Sequence, residues 1–502
     1  MLGATLIGQS CISDDPNHCE HQDGDASCEA GFYCNNCVAS DKNGGCLSIE
    51  AIDEACHSAV SDGGTPSGST DDATDGTDGD TGGPATMGDT GPAVCGGDAC
   101  PANAPYCVDG SCSSCADVGG DDYCAGEDES TPVCGATGEC VQCSPDNASA
   151  CGGSTAFCDP TGTCSGCFEH SQCMTDDNEG PGCDIAMGTC LPETLVYYVS
   201  TPACVGAETG FGDADDPWCS LESAEAVIAG NSGVTIHFAP GDYSQTLESS
   251  NGGVAVLIGR GGGVPATQSL VPRVQVSNNS RLYTSNLRLS GDGGAGLVCA
   301  NGGTLWARDT EVVDSIGGYG VEAGVACEVT IERSVIAGNE NGGINTTNAE
   351  VILRSSGVLY NGGDGITAED GSFEINHGTI IQNGISSAGN NVACSAGVDL
   401  VVRNSVVMHE IEQSFGGCGG ITVRNSVIDD DPFVSKDDGV TYQQYSDGYF
   451  QSPSDEDNPH VTGSAPFADV AVREAGPPYV DIDGEAYDLT LGATSWAGAD
   501  QP

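Results

Sequence analysis

Two stretches, VVRNSVVMHE (401–410) and TVRNSVIDDD (422–431), hold the densest set of chemically useful side chains in the chain. Aligned on their shared RNSV, they set His409 and Glu410 beside Asp429, Asp430 and Asp431. Carboxylate oxygens converging from neighbouring segments could ligate calcium, and two close carboxylates could act as nucleophile and acid in retaining glycoside hydrolysis. In a chain with 74 acidic residues, acids also fill exposed turns by chance, so these five are candidates for catalysis and no more. A second constellation is basic. Arg308, Arg333, Arg354, Arg403 and Arg424 each follow a similar apolar run, with Asn376 and His377 at the missing step, and together they are nearly half of the 12 basic residues. Guanidinium groups bind planar oxyanions through paired hydrogen bonds, which makes the row a candidate ligand-binding surface for sugar carboxylates or sulfates. The same arginines could instead cap turn carbonyls and neutralise adjacent acids. The third set, Asp481, Asp483, Glu485 and Asp488 in YVDIDGEAYDL, resembles half of a calcium loop and equally an acidic turn. No cofactor is required by these patterns, and calcium is the one candidate.

The elements that must position these groups follow from a repeat. Asn339, Asn361 and Asn383 lie 22 residues apart, and Ile331/Leu353/Ile375 and Ile336/Val358/Ile380 recur with the same spacing. A unit this short cannot bury its own apolar face and must lie on the next copy, so the C-terminal part is expected to be mainly β, a solenoid of short strands with a long side wall. Each unit, as in VTIERSVIAGNENGGINTTNAE, offers three strands whose alternating apolar residues face inward, with Asn, Gly, Ser or Arg at the bends. The asparagines are expected to form an amide ladder. LVYYVS (195–200) begins this domain, and a helix follows Ser220, with Leu221, Ala224 and Ile228 on one face, to plug the open end. Stacking also predicts disulfides. Cys299 with Cys327, and Cys394 with Cys418, share a coil position, with Thr346 and Ala368 in that column between the pairs, while Cys204 and Cys219 staple the cap.

Composition bounds the partners. A formal charge of -62 repels phosphate backbones and anionic lipid, so no nucleic-acid partner and no electrostatic membrane binding are expected. No run is long enough for a transmembrane helix. Of 29 cysteines, all but six precede residue 191, a density that fits an oxidising, extracellular or cell-surface location. Residues 1–10 read as the remnant of a signal peptide or a disordered start, and Cys11 is a candidate lipid anchor as well as an ordinary disulfide partner. Residues 11–60 form a cysteine-rich module, 61–93 a disordered acidic Gly/Asp/Thr linker, 94–192 a cysteine-rich repeat stalk and 193–502 the solenoid with its closing C-terminal segment. Sixteen cysteines in the stalk, marked by the pairs Cys112/Cys115, Cys140/Cys143 and Cys164/Cys167, favour disulfides over zinc. The expected state is a monomer.

The segments YYVS and VTIHFAPGDY, with the recurring VVRNSVV, TVRNSVI and NGGDGI, resemble right-handed parallel β-helix proteins of the pectate-lyase-like group over roughly residues 195 to 500. The acidic, cysteine-rich N-terminal repeats and the Asp/Gly/Thr linker resemble secreted myxobacterial proteins. The resemblance implies a β-helix fold and a wall that handles polysaccharide, although that superfamily also includes adhesins and coils without chemistry. The sequence blocks that galacturonan hydrolases and pectate lyases use for catalysis are not found. The expectation is therefore a polysaccharide-binding wall, with a lyase or glycoside hydrolase acting on an acidic glycan, or a structural adhesin or spacer, as alternatives.

Overall fold

The computed structural model describes residues 32–34, 46–48 and, with short breaks, 94–500. The longer breaks are 145–150, 202–209, 261–268, 430–438, 451–459, 473–479 and 488–493. The chain forms two compact units, Met1–Ala85 and Thr86–Pro502. In the first, Phe32–Cys34 and Cys46–Ser48 pair as an antiparallel hairpin with Cys34 opposite Cys46. Cys11 and the linker lie outside the described residues.

The second unit begins with four small modules, each built from four cysteines joined first to third and second to fourth. The bonds are Cys95–Cys107 with Cys100–Cys112, Cys115–Cys134 with Cys124–Cys140, Cys143–Cys158 with Cys151–Cys164, and Cys167–Cys183 with Cys173–Cys190. Each CxxC therefore joins one module's last cysteine to the next module's first and is a joint, not a metal site. The modules contain little apolar core, and closing loops of 12 to 19 residues limits the unfolded ensemble in its place.

Beyond Leu195 the chain winds into a right-handed parallel β-helix of about eight turns. Three parallel sheets form its sides. The first includes Val234–Phe238, Val254–Gly259, Arg281–Ser285, Thr304–Arg308, Glu328–Glu332 and Asp399–Arg403. The second includes Leu287–Leu289, Glu311–Val313, Val335–Ala337 and Val406–Met408, and the third Arg273–Ser277, Leu297–Ala300 and Tyr319–Ala323. In the two 22-residue coils the bends are so tight that Gly342–Leu359 and Ile366–Ile381 each pass through all three sheets as one continuous strand. Alternation places Leu305, Ile331, Leu353, Ile375 and Val402 inside, all essentially inaccessible, and the helix Leu221–Gly230 closes the first coil with Leu221, Ala224 and Ile228. Ser220 stands at the helix start, but its hydroxyl does not accept a capping hydrogen bond.

Turns carry the stacking in polar form. From Arg281–Ser285 onward, one residue after each first-sheet strand is left-handed: Asn286, Asp309, Arg333, Ser355, His377, Asn404 and Asn425, with φ between 43° and 54°. Asn, Asp and His tolerate that region best, which accounts for the recurring Asn of RNS. The serine that follows turns inward: Ser405 Oγ donates to the Arg403 carbonyl (2.6 Å), and the Ser405 amide donates to Ser426 Oγ in the next coil (3.1 Å). At the next corner, the amide of Asn361 donates to Asn383 Oδ1 (3.2 Å), and the backbone and side-chain nitrogens of Asn339 donate to Asn361 Oδ1 (3.0 and 2.9 Å). The ladder continues to Asn391, which takes the same place through an irregular coil.

Both outer faces that carry apolar side chains are covered. Outward Val313, Val335, Leu359, Ile381, Val406 and Met408 of the second sheet pack under Phe450, Val461, Phe467, Ala471 and Ala497. The C-terminal segment, expected to cap the far end, is thus a strap along the side. Its backbone is fixed by bonds from Gly498 to the Asn404 carbonyl and from Ala499 to Thr379 Oγ1, each 2.9 Å. Strands such as VVM and VIA are apolar on both faces, so their outward half needs a cover that an end cap would not give.

The last cysteine module, expected as part of a stalk, lies on the first sheet. Leu191 packs with Val254, Val256, Ile258 and Tyr283. Asp184 accepts from Tyr283 Oη and from Arg281, both at 2.6 Å, Gly182 N donates to Thr235 Oγ1 (2.8 Å), and His237 Nε2 meets the Gly180 carbonyl (2.8 Å). Here Val256 and Ile258 point outward as apolar residues, and water is excluded only if something sits on them.

Replacing Asn361 with Ala strands buried backbone and amide groups on both neighbouring coils. Each such group costs about 1–3 kcal/mol, so the chain is expected to lose roughly 2–5 kcal/mol, measured as a lower denaturant midpoint in urea unfolding. An unchanged midpoint would show that the ladder contributes nothing net.

Candidate functional site

Register decides which of the sequence candidates meet. One outward row on the first sheet runs Ser285, Arg308, Glu332, Arg354, Asn376, Arg403, Arg424. Arg333 is not in it. Glu332 holds its place, and Arg333 occupies the left-handed corner one residue later, where its Nε and Nη2 bind both oxygens of Asp309 (2.8 and 2.6 Å). The expected five-arginine row is therefore four arginines interrupted by an acid, because ERS in one coil aligns with LRS in the next by its Glu. Arg403 pairs with Glu374, and Arg424 is exposed.

The acidic turn is mostly committed to the backbone. His409 and Asp429 do come together: the His409 amide donates to Asp429 Oδ2 (3.0 Å), but the buried imidazole turns inward to the Asn383 carbonyl. Glu410 is exposed and its amide donates to Gln382 Oε1 (3.2 Å). Asp430 and Asp431 lie outside the described residues, as does Asp488. In the third candidate set Asp481 Oδ1 accepts from the amides of Asp483 (3.1 Å) and Glu485 (2.8 Å), and burial pushes its carboxyl up to about 6. Cys299 bonds Cys327 and Cys394 bonds Cys418, with Cα separations of 6.0 and 4.6 Å. The partners of the first bond do not share a register, however. Cys299 is level with Ala323, and Cys327 reaches it from the turn four residues on. Cys219 is disulfide-bonded, while Cys204 lies outside the described residues.

One cavity does gather wall residues. It measures about 370 Å³ and lies where the last cysteine module ends on the first sheet. Trp306, Arg308, Glu332 and Arg354 form its floor, Phe168, Glu169 and Ile185 of the module one side, and Val480 of the C-terminal strap another. Arg308 is committed to its neighbours: it lies 3.2 Å from Glu169 and 3.3 Å from Glu332, and donates to the Phe168 carbonyl (3.3 Å). Arg354 is different in having no ion pair among the described residues. Its Nε, like that of Arg308, is buried without a hydrogen bond, and so is the indole Nε1 of Trp306. Buried N–H groups without acceptors each cost free energy unless something supplies the oxygen. The row of arginines was legible in the sequence, but the cavity was not: Trp306 signals nothing by spacing, and the wall opposite it comes from residues more than a hundred positions earlier.

Residues 80–196 match the model of a family of unknown function, DUF8331. No curated protein matches the chain by sequence. Among solved structures, a pectate lyase is 15% identical with a TM-score of 0.40, covering 61% of this chain and 96% of its own. A rhamnogalacturonan lyase is 12% identical (TM-score 0.32, covering 60% of this chain and 96% of its own). The A-module of a mannuronan C-5 epimerase from Azotobacter vinelandii is 13% identical (TM-score 0.25, covering 49% and 98%). These are likenesses of fold.

The module edge that walls the cavity contains His170, which is buried and accepts from the Cys183 amide at Nδ1 (3.1 Å). Burial, then the nearby charges of Arg308 and His237, hold its pKa down at about 3, against an ordinary 6.5. The folded form thus binds fewer protons than the unfolded one between those values, so the contribution is complete above pH 6.5 and lost as pH falls toward about 3. His170→Gln is expected to flatten the fall in thermal midpoint on acidification from pH 7 to 5, read by calorimetry against the parent chain. Parallel curves would place no such linkage at His170.

Proposed function

We propose that this is a glycan-binding β-helix protein of an oxidising, extracellular setting, and that the cavity over Trp306 and Arg354 receives an acidic sugar unit. The observation that carries the reading is a cavity floor whose buried donors lack acceptors, foremost the indole N–H of Trp306 and the Nε of Arg354, the one floor arginine with no ion pair among the described residues. Both are N–H groups, so the complementary ligand must bring acceptor oxygens; a carboxylate or sulfate gives Arg354 a charge-assisted bond, and a ring hydroxyl suits the indole N–H. The indole and the Phe168 ring add apolar surface of the kind that lies against a sugar ring. The volume falls within the roughly 300–1,000 Å³ usual for ligand sites and accommodates one or two sugar units.

Two further features support a polymer over a small metabolite. The cavity lies on the solenoid's outer face, where successive coils set Trp306, Thr330 and Ile352 side by side at a spacing of about 4.8 Å, so a chain can continue along the wall. The many disulfides suit the compartment where such polymers occur, and among the described residues no helix is long and apolar enough to cross a membrane. The net charge of -62 does not forbid an anionic ligand, because exposed charges beyond about 8 Å are screened at physiological salt and the cavity floor itself carries Arg308 and Arg354. Binding is favoured over catalysis because Glu169 and Glu332 are both engaged in ion-pair contact with Arg308.

Calorimetric titration of the full chain with uronate-containing, sulfated and neutral oligosaccharides tests this. Acidic ligands are expected to bind, and Arg354→Gln to weaken them about ten- to a hundredfold, the worth of a charged hydrogen bond of about 1.5–3 kcal/mol. Trp306→Phe, which keeps the ring and removes the N–H, is expected to cost less. Equal affinity of the parent and Arg354→Gln chains, or no binding by any oligosaccharide, would refute the assignment.

A further inference from the structure

Away from the cavity, the C-terminal strap brings together groups from three separated places. His460 Nδ1 lies 3.3 Å from Asp483 Oδ2 and 3.4 Å from Asp500 Oδ1, and the three potential ligand atoms all fall within 4.8 Å of one another. The backbone explains the convergence. Ile482 N donates to the Ala499 carbonyl (2.8 Å), which sets Asp481 and Asp483 on either side of a strand-like contact and next to Asp500, while Val461 N donates to Asp500 Oδ2 (2.9 Å) and brings His460 alongside.

An ion pair between His460 and the two acids would account for three of these groups. It does not account for the fourth. Asp481 is completely buried, its charge acts on His460 and those of Asp500 and Asp483 act on it, yet among the described residues only its Oδ1 is used, by the amides of Asp483 and Glu485. Oδ2 is buried with no hydrogen-bond partner. A buried carboxylate oxygen with nothing to accept from, beside two more carboxylates and an imidazole, has an excess of acceptor charge that a single imidazolium does not satisfy.

We infer that His460, Asp483 and Asp500, with the buried carboxylate of Asp481 beside them, form a binding site for one divalent transition ion, of the zinc or manganese class, that fastens the C-terminal strap. One imidazole nitrogen with carboxylate oxygens is a donor set those ions accept, whereas calcium takes six to eight oxygens and gains little from the ring. The site differs from the calcium loop expected at Asp481, Asp483, Glu485 and Asp488: Glu485 takes part through its backbone, and the strongest additions, His460 and Asp500, lie outside that run. An ion here ties residues 460, 481–483 and 500 into one knot over the second sheet. It also holds the stretch next to Val480, whose carbonyl accepts from Ser355 Oγ (2.7 Å) at the cavity edge.

The test uses the full chain, stripped with chelator, loaded with zinc in high salt to suppress loose binding to the acidic surface, and desalted. Elemental analysis is expected to find one zinc per chain more than in the double variant His460→Gln/Asp483→Asn, and the loaded parent to melt at a higher temperature than its stripped form. The variant, which changes two partly exposed side chains and leaves buried Asp481 and Asp500 in place, is expected to show no such rise. Equal zinc content in parent and variant, or retention of calcium in preference to zinc, would overturn the assignment. If the variant melts early even when stripped, the difference in zinc content alone decides. Sugar binding by the cavity is a separate readout, so failure of either proposal leaves the other standing.

Discussion

Every coil of this protein depends on in-register pairing with its neighbours, because a coil has no core of its own. Parallel pairing satisfies the strands, but at each corner the chain turns too sharply to keep the ladder, and the backbone groups there would be buried and unpaired. The Asn339–Asn361–Asn383–Asn391 ladder and the Ser334–Ser356 and Ser405–Ser426 contacts repair those corners by reaching to the adjacent coil. Because each amide bonds the coils on both sides of it, a one-residue slip would break several buried bonds at once, and the register that aligns the outward row is fixed by the corners.

A fixed register leaves the outer faces to be managed. Where they are apolar, the chain's own ends cover them: the cysteine module lies on the early coils of the first sheet, and the C-terminal strap on the second. The two covers approach each other where Val480 faces Phe168 and Ile185 across the cavity. The cavity is thus the seam between two covers and the wall, and on its floor arginine Nε groups and an indole N–H are buried together without a hydrogen-bond acceptor among the described residues.

How far the sequence carried the reading follows from how local each signal is. The 22-residue period, the Asn ladder and the inward residues were legible because they repeat along one stretch. The position of Arg333 was misread because RS and RNS look alike in sequence, while the left-handed corner begins one residue earlier in that coil, after Glu332. The strap and the docked module are not legible from the inward positions; their sign in the sequence is the apolar outward residues Val256, Ile258, Val335 and Val406, which need a cover. Nothing in sequence joins His460 to Asp500, which meet through a backbone contact between irregular segments.

The alternating bonds of the four cysteine modules have a mechanical consequence. Tension applied ahead of Cys95 cannot be relieved by letting out slack, since each module's crossed pair of disulfides leaves only short spans to straighten, at about 3.3–3.6 Å per residue. The load passes along the joints to the last module and arrives as shear across Asp184, Arg281 and Tyr283, with the β-helix as anchor. Covalent crosslinks therefore turn a row of nearly coreless knots into a tether of almost constant length, and the noncovalent link that holds this tether to the β-helix belongs to the module that also forms a wall of the cavity.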